Sequence, residues 1–255
     1  MSRILLEICV ADVESLDAAI EGGADRIELC SALELGGLTP SPGLMRRAAQ
    51  APIPVYAMIR PRAGDFVFDA REAEIMLADI TAAGEAGLAG VVLGASQPDG
   101  TLDADLLARL TTVAGDLGTT LHRAFDMAPD LGAALEIAIE IGFERILTSG
   151  GAKSAAEGVD SLKHLVVRAG ERITVMAGSG VRAANAAALL THVPLKEVHA
   201  SCALPVAQNP AAAGFGFTTA ARGVTSRAEV RALRATLDAA APSIFAVRKR
   251  DGSAT

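Results

Sequence analysis

Tryptophan is absent from this chain, tyrosine occurs once, and all aromatic residues together make up 3% of it. A core without large rings must be filled by Ala, Val, Leu and Ile, which suits buried parallel strands covered by alanine-rich helices. Cysteine is scarce as well. Cys9, Cys30 and Cys202 are too few and too scattered for a disulfide framework and read as thiols of a reducing compartment. No apolar run reaches the roughly 18 residues of a membrane-spanning helix. The chain enters a strand-like run at Ile4 without the basic and apolar regions of a signal peptide. Positive charge is the minority, with a net charge of -7 and a pI near 5.2, which speaks against a nucleic-acid partner. The expectation is a cytoplasmic protein with neither nucleic acid nor membrane as partner.

What is present is a repeat. Short apolar runs, suited to strands, fall near 4–9, 25–30, 54–60, 90–94, 119–123, 144–149, 172–178 and 197–201. Segments of helical period lie near 12–22, 42–51, 69–86, 103–116, 130–141, 154–169, 182–191 and 226–240. The stretches Gly23-Ala-Asp-Arg-Ile27, Gly87-Leu-Ala-Gly-Val91 and Gly142-Phe-Glu-Arg-Ile146 look like one helix-to-strand junction repeated every second unit. Eight strand–helix units with right-handed crossovers close into a (β/α)8 TIM barrel, here a single domain over residues 1–255. An open doubly wound sheet competes, but it usually carries a glycine-rich turn after strand 1, where this chain has Cys9-Val-Ala-Asp12. An irregular excursion at about 202–225 precedes the last helix. It is long enough to cover the barrel mouth or, through Phe215 and Phe217, to join a neighbouring subunit.

Strand side chains alternate, so one inward residue fixes the rest. Alignment of the strands through the repeated junction gives a ring of polar or small residues at their carboxyl ends: Cys9, Cys30, Arg60, Gly94, His122, Ser149, Gly178 and Ser201. Below it stand Glu7, Glu28 and His199. Ionisable groups inside a barrel are expensive unless paired or functional, so Glu7, Glu28, His122 and His199 are candidate acid/base residues, with Asp126 to orient His122. The competing reading is a structural network in which Arg60 and His199 neutralise the two glutamates. Arg60 and Arg62 could clamp a carboxylate or phosphate. The turns Ser149-Gly150-Gly151 and Gly178-Ser179-Gly180, with Ser201, could bind an anion through backbone N–H groups, although tight turns need glycine for steric reasons alone. Cys9 and Cys30 end neighbouring strands on one face, which could bring two thiolates to one soft metal ion. Inert buried thiols are the plainer alternative.

At this point the sequence resembles the CutC-type copper homeostasis proteins. The matching stretches are Glu28-Leu-Cys30-Ser-Ala, Gly36-Gly-Leu-Thr39-Pro-Ser41, Met58-Ile-Arg60-Pro-Arg62 with Gly64-Asp-Phe66, His122-Arg-Ala-Phe-Asp126, Ile146-Leu-Thr-Ser-Gly-Gly151 and Met176-Ala-Gly-Ser-Gly-Val181. They occur in order between about residues 4 and 202, and Phe68 stands where the family pattern suggests Tyr. The resemblance implies a cytoplasmic homo-oligomeric barrel tied to copper, with Cys9 and Cys30 as Cu(I) thiols and His199 or Glu28 as further ligands. The alternative remains an enzyme on a small phosphate- or carboxylate-bearing metabolite, since the inward Glu, His and Arg residues exceed what a simple metal carrier needs.

Overall fold

The computed structural model describes the backbone of residues 3–251 and the side chains of residues 3–241. Eight parallel strands close into a barrel in sequence order: β1 (Leu5–Val10), β2 (Arg26–Leu29), β3 (Val55–Met58), β4 (Gly90–Leu93), β5 (Gly118–Leu121), β6 (Arg145–Thr148), β7 (Thr174–Ala177) and β8 (Glu197–Ala200). Between them run α1 (Val13–Gly22), α2 (Pro42–Ala48), α3 (Ala70–Glu85), α4 (Ala104–Ala114), α5 (Leu131–Ile141), α6 (Val159–Ala169) and α7 (Ala183–His192). The (β/α)8 expectation is met. Local chemistry sets the helix starts: Asp12, Ser41, Asp69, Asp103 and Asp130 each accept from a backbone N–H of the first turn.

The expected irregular excursion is instead ordered. Strand β9 (Ala203–Ala207), the short α8 (Pro210–Gly214) and β10 (Ala221–Thr225) form an antiparallel hairpin, which Arg222 ties to Asp12. Pro205 and Pro210 obscured it in the sequence, because proline within an apolar run argues against a strand. Pro205 is tolerated in a two-stranded ribbon that has free edges on both sides. The final helix, α9 (Arg227–Asp251), packs against α1 and α7 and completes the outer ring.

The main core lies between strands and helices, where Ile4, Leu6, Ile8, Ile27, Leu29 and Leu93 are fully buried. The barrel interior is different. A small apolar cluster of Cys30, Tyr56, Met58 and Val92 sits above a charged floor. There Arg26 donates to Glu7 and to Glu197 at 2.5 Å, and Arg145 reaches Glu197 at 3.3 Å. Both guanidinium groups lie over the Tyr56 ring, 5.3 and 5.0 Å from its centroid. Two glycines make room for this ring. A Cβ on Gly118 would stand 2.0 Å from Tyr56 Oη, and one on Gly90 would stand 2.6 Å from the ring.

Candidate metal and ligand site

Alternation places Glu7 and Cys9 of β1, Glu28 of β2 and His199 of β8 inside the barrel, as the sequence indicated. Their relative heights differ from expectation. The register pairs Cys9 with Glu28, and Glu7 with both Arg26 and His199, so Cys9 and Cys30 do not stand level, nor do Glu7 and Glu28. Closing a sheet into a barrel requires a stagger from strand to strand, and alignment by junctions alone does not contain that stagger.

The stagger assembles a mixed donor set. One potential ligand atom each from Cys9, Glu28 and His199 lies within 4.8 Å of the others, and all three residues are buried. His199 Nδ1 is 2.8 Å from Glu7 Oε1, and its Nε2 is 3.8 Å from Glu28 Oε2. Cys30, fully buried, donates its thiol to Glu28 Oε2 at 3.5 Å and lies under Gly37. The second thiol therefore adjoins the donor set from the Glu28 side.

The electrostatics are those of a buried cluster of interacting charges. Burial would raise the Glu7 carboxyl, but Arg26 and His199 outweigh it and hold the pKa down at about 2. Glu28 has no guanidinium contact of its own, and burial pushes its carboxyl up against the pull of His199. Among the described residues its Oε1 has no hydrogen-bond partner. Burial disfavours the His199 cation, yet Glu28, Cys9 and Glu7 together push its pKa well above the ordinary value. The Cys30 thiol is pushed well up by burial and by the Glu28 carboxylate. The structural-network reading is thus partly realised, with Arg26 in the place given to Arg60. Arg26 could have been found by extending the Glu28–Cys30 alternation one step down β2.

Above the donor set opens a cavity of about 370 Å³. Arg60 lines it and braces two loops through its Nη groups, which donate to the carbonyls of Leu35 (2.8 Å), Gly37 (3.1 Å) and Gly64 (2.7 Å), while its Nε has no partner among the described residues. Arg62 lies away from the cavity, paired with Glu72 at 2.5 Å and Asp65 at 2.9 Å. His122 lines the cavity. Its Nδ1 accepts from Ala124 N–H at 3.1 Å, which leaves the proton on Nε2, and Nε2 has no partner among the described residues. Burial, with Arg60 nearby, lowers its pKa to about 3, so the ring is neutral.

Asp126 does not orient His122. It instead accepts from Arg123, Thr148, Ser149 and Gly151, tying the turns after β5 and β6 together. Ser149 is spent in the same cluster, and Ser149, Gly150 and Gly151 do not line the cavity. Gly178 gives way to its neighbours: a Cβ there would meet Leu147 at 2.5 Å. Ser179, Gly180 and Ser201 do line the cavity. So do Val181 and Arg182, which sequence reasoning missed although they continue the same turn.

The CutC family model matches residues 4–204. The chain belongs to the CutC family. A CutC family protein of Sinorhizobium medicae is 57% identical over 242 residues, covering 94% of this chain and 99% of that protein. One from Rhizobium meliloti is 55% identical over the same length, with the same coverage. The crystal structure of CutC from Streptococcus agalactiae, described as a candidate copper homeostasis protein, aligns with a TM-score of 0.75 at 33% identity. That alignment covers 78% of this chain and 98% of the other. CutC membership explains why the motif residues cluster at the carboxyl end of one barrel: in this fold the loops after the strands carry the variable chemistry.

Proposed function

We propose that this CutC protein takes up Cu(I) as cargo in a reducing, cytoplasmic setting, on Cys9 and His199 with Glu28 and Cys30 beside them. The observation that carries the reading is the convergence of Cys9, Glu28 and His199 within 4.8 Å in a buried pocket. A thiolate and an imidazole suit a soft monovalent copper ion, and the unpartnered Glu28 Oε1 leaves an oxygen free for it. Glu7 fixes the ring: with His199 Nδ1–H donated to Glu7, Nε2 is the nitrogen turned toward Glu28. Arg26 keeps Glu7 ionised for that task. Cargo loading displaces the His199 and thiol protons, so uptake weakens as pH falls. The family's association with copper homeostasis in the Streptococcus agalactiae protein supports the same reading.

Competitive Cu(I) titration of the reduced protein against a chromophoric chelator tests it. Cys9→Ser abolishes tight binding, Cys9→Ser/Cys30→Ser leaves none, and Glu7→Gln weakens it by about 10- to 100-fold. Equal affinities in wild type and the double variant would sink the proposal. The second reading, a small anionic organic ligand, is favoured by the size of the cavity, which exceeds what a bare ion needs. Association with a second copy of this chain fits the hairpin, whose Phe215 and Phe217 are 78% and 83% exposed.

A further inference from the structure

The turn that follows β7 is unusually rich in uncommitted donors. Ser179 and Gly180 both have left-handed backbones, at φ 74° and 73°, which carries the chain off the strand ladder and over the cavity. Among the described residues, the backbone N–H groups of Ser179, Gly180 and Val181 donate to no partner. The next N–H, that of Arg182, is taken by Asn185 Oδ1 at 2.8 Å, which starts α7. Arg182 lines the same cavity and its guanidinium forms no ion pair with any described residue, unlike Arg123, which is held by Asp126. Three bonds fix the turn in place: Ser179 Oγ donates to Lys153 O at 2.8 Å, Ser179 O accepts from Ala155 N–H at 3.0 Å, and Gly180 O accepts from Asn185 Nδ2 at 2.8 Å.

A second observation is independent of that turn. His122 is 3% exposed and lines the same cavity, and among the described residues its buried Nε2–H has no partner. A buried donor left unsatisfied is unfavourable, and a ligand acceptor removes the penalty. Leu33, Met58, Phe66 and Leu147 add apolar wall to the cavity, whose lining also holds Glu28 and His199. The arrangement fits a ligand with an anionic head, a short body and one oxygen acceptor.

We propose that the cavity binds a small organic phosphate monoester, its phosphate on the Ser179, Gly180 and Val181 N–H groups and Arg182, and an oxygen of its body on His122 Nε2–H. Three backbone donors and a guanidinium match the three terminal oxygens of a phosphate better than the two of a carboxylate. The start of α7 adds its positive dipole end, as at other helix-borne phosphate sites. The assignment rests on the second reading of this cavity, a small anionic organic ligand, and names its chemical class; copper plays no part in it.

The test is calorimetric titration of the metal-free, reduced full chain at fixed ionic strength with inorganic phosphate, glycerol 3-phosphate and acetate. Both phosphates bind saturably, acetate at least tenfold more weakly, and Arg182→Ala loses at least tenfold affinity for both phosphates. Arg182 is exposed, so this variant keeps its fold. In the ¹⁵N-labelled protein, glycerol 3-phosphate shifts the His122 Nε2 resonance and inorganic phosphate leaves it in place. Absence of saturable phosphate binding, equal affinity in Arg182→Ala, or acetate as tight as phosphate overturns the assignment of the head group. A His122 resonance unmoved by glycerol 3-phosphate overturns the placement of the body.

Discussion

His122 makes the stability of this protein depend on pH in a way that one substitution removes. Its ring is buried between Phe66, with centroids 4.8 Å apart, and Gly94, where a Cβ would stand 2.5 Å from the imidazole. Burial and the nearby Arg60 lower its pKa from 6.5 to about 3. Between those values the unfolded chain binds a proton at this position and the folded chain does not. Unfolding is therefore favoured as pH falls, by about 1.4 kcal/mol per pH unit. From pH 6.5 to 5.0 the loss amounts to about 2 kcal/mol. The contribution is fully present above 6.5 and is spent only near pH 3. His199 has the opposite sign: its raised pKa stabilises the fold below 6.5, and that contribution fades as pH rises through the folded value. His122→Gln keeps a side-chain N–H and removes the titration at 122 alone. Urea unfolding of wild type and His122→Gln at intervals from pH 4.5 to 7 isolates the difference, since every other group titrates alike in both. The wild-type curve falls away from the variant by about 2 kcal/mol on reaching pH 5.0. Parallel curves would refute the account of a neutral, desolvated ring.

Two further outcomes follow from the floor of the barrel and from the hairpin. Arg26→Met leaves the fully buried Glu7 without its guanidinium, while Glu197 keeps Arg145, and lowers unfolding stability by about 3–5 kcal/mol, measured by urea denaturation at pH 7; a change below 1 kcal/mol would show that the Arg26–Glu7 pair is not desolvated as described. Sedimentation velocity finds wild type self-associated and Phe215→Ser/Phe217→Ser monomeric with an unchanged unfolding midpoint, whereas a monomeric wild type would remove the hairpin as a contact surface.

Much of the barrel was legible because βα alternation is a local signal. Each strand is an apolar run, each helix an amphipathic or alanine-rich segment with its own cap, and both survive without knowledge of neighbours. The hairpin at Ala203–Ala207 and Ala221–Thr225 was not legible, because its two strands pair across an intervening turn and short helix and one of them contains a proline.

The inward identity of Glu7, Cys9, Glu28, His122 and His199 was fixed by alternation, a property of each strand taken alone. The heights of those residues belonged to the closed sheet. Barrel stagger set Cys9 opposite Glu28, brought His199 to both glutamates, and left Cys30 one step above. Which donors remain free also depended on tertiary structure. Arg62, Asp126 and Ser149 are chemically apt for a site but are consumed by loops that fold back on them, and Arg60 gives both its Nη groups to such loops. Among the described residues, His122 Nε2 meets no such acceptor and the Arg182 guanidinium forms no ion pair. The sequence by itself determined the fold and which face of each strand carries chemistry. Only closure of the barrel decided which of those groups meet, since hydrogen-bond partners distant in the chain are chosen by register and loop packing rather than by spacing.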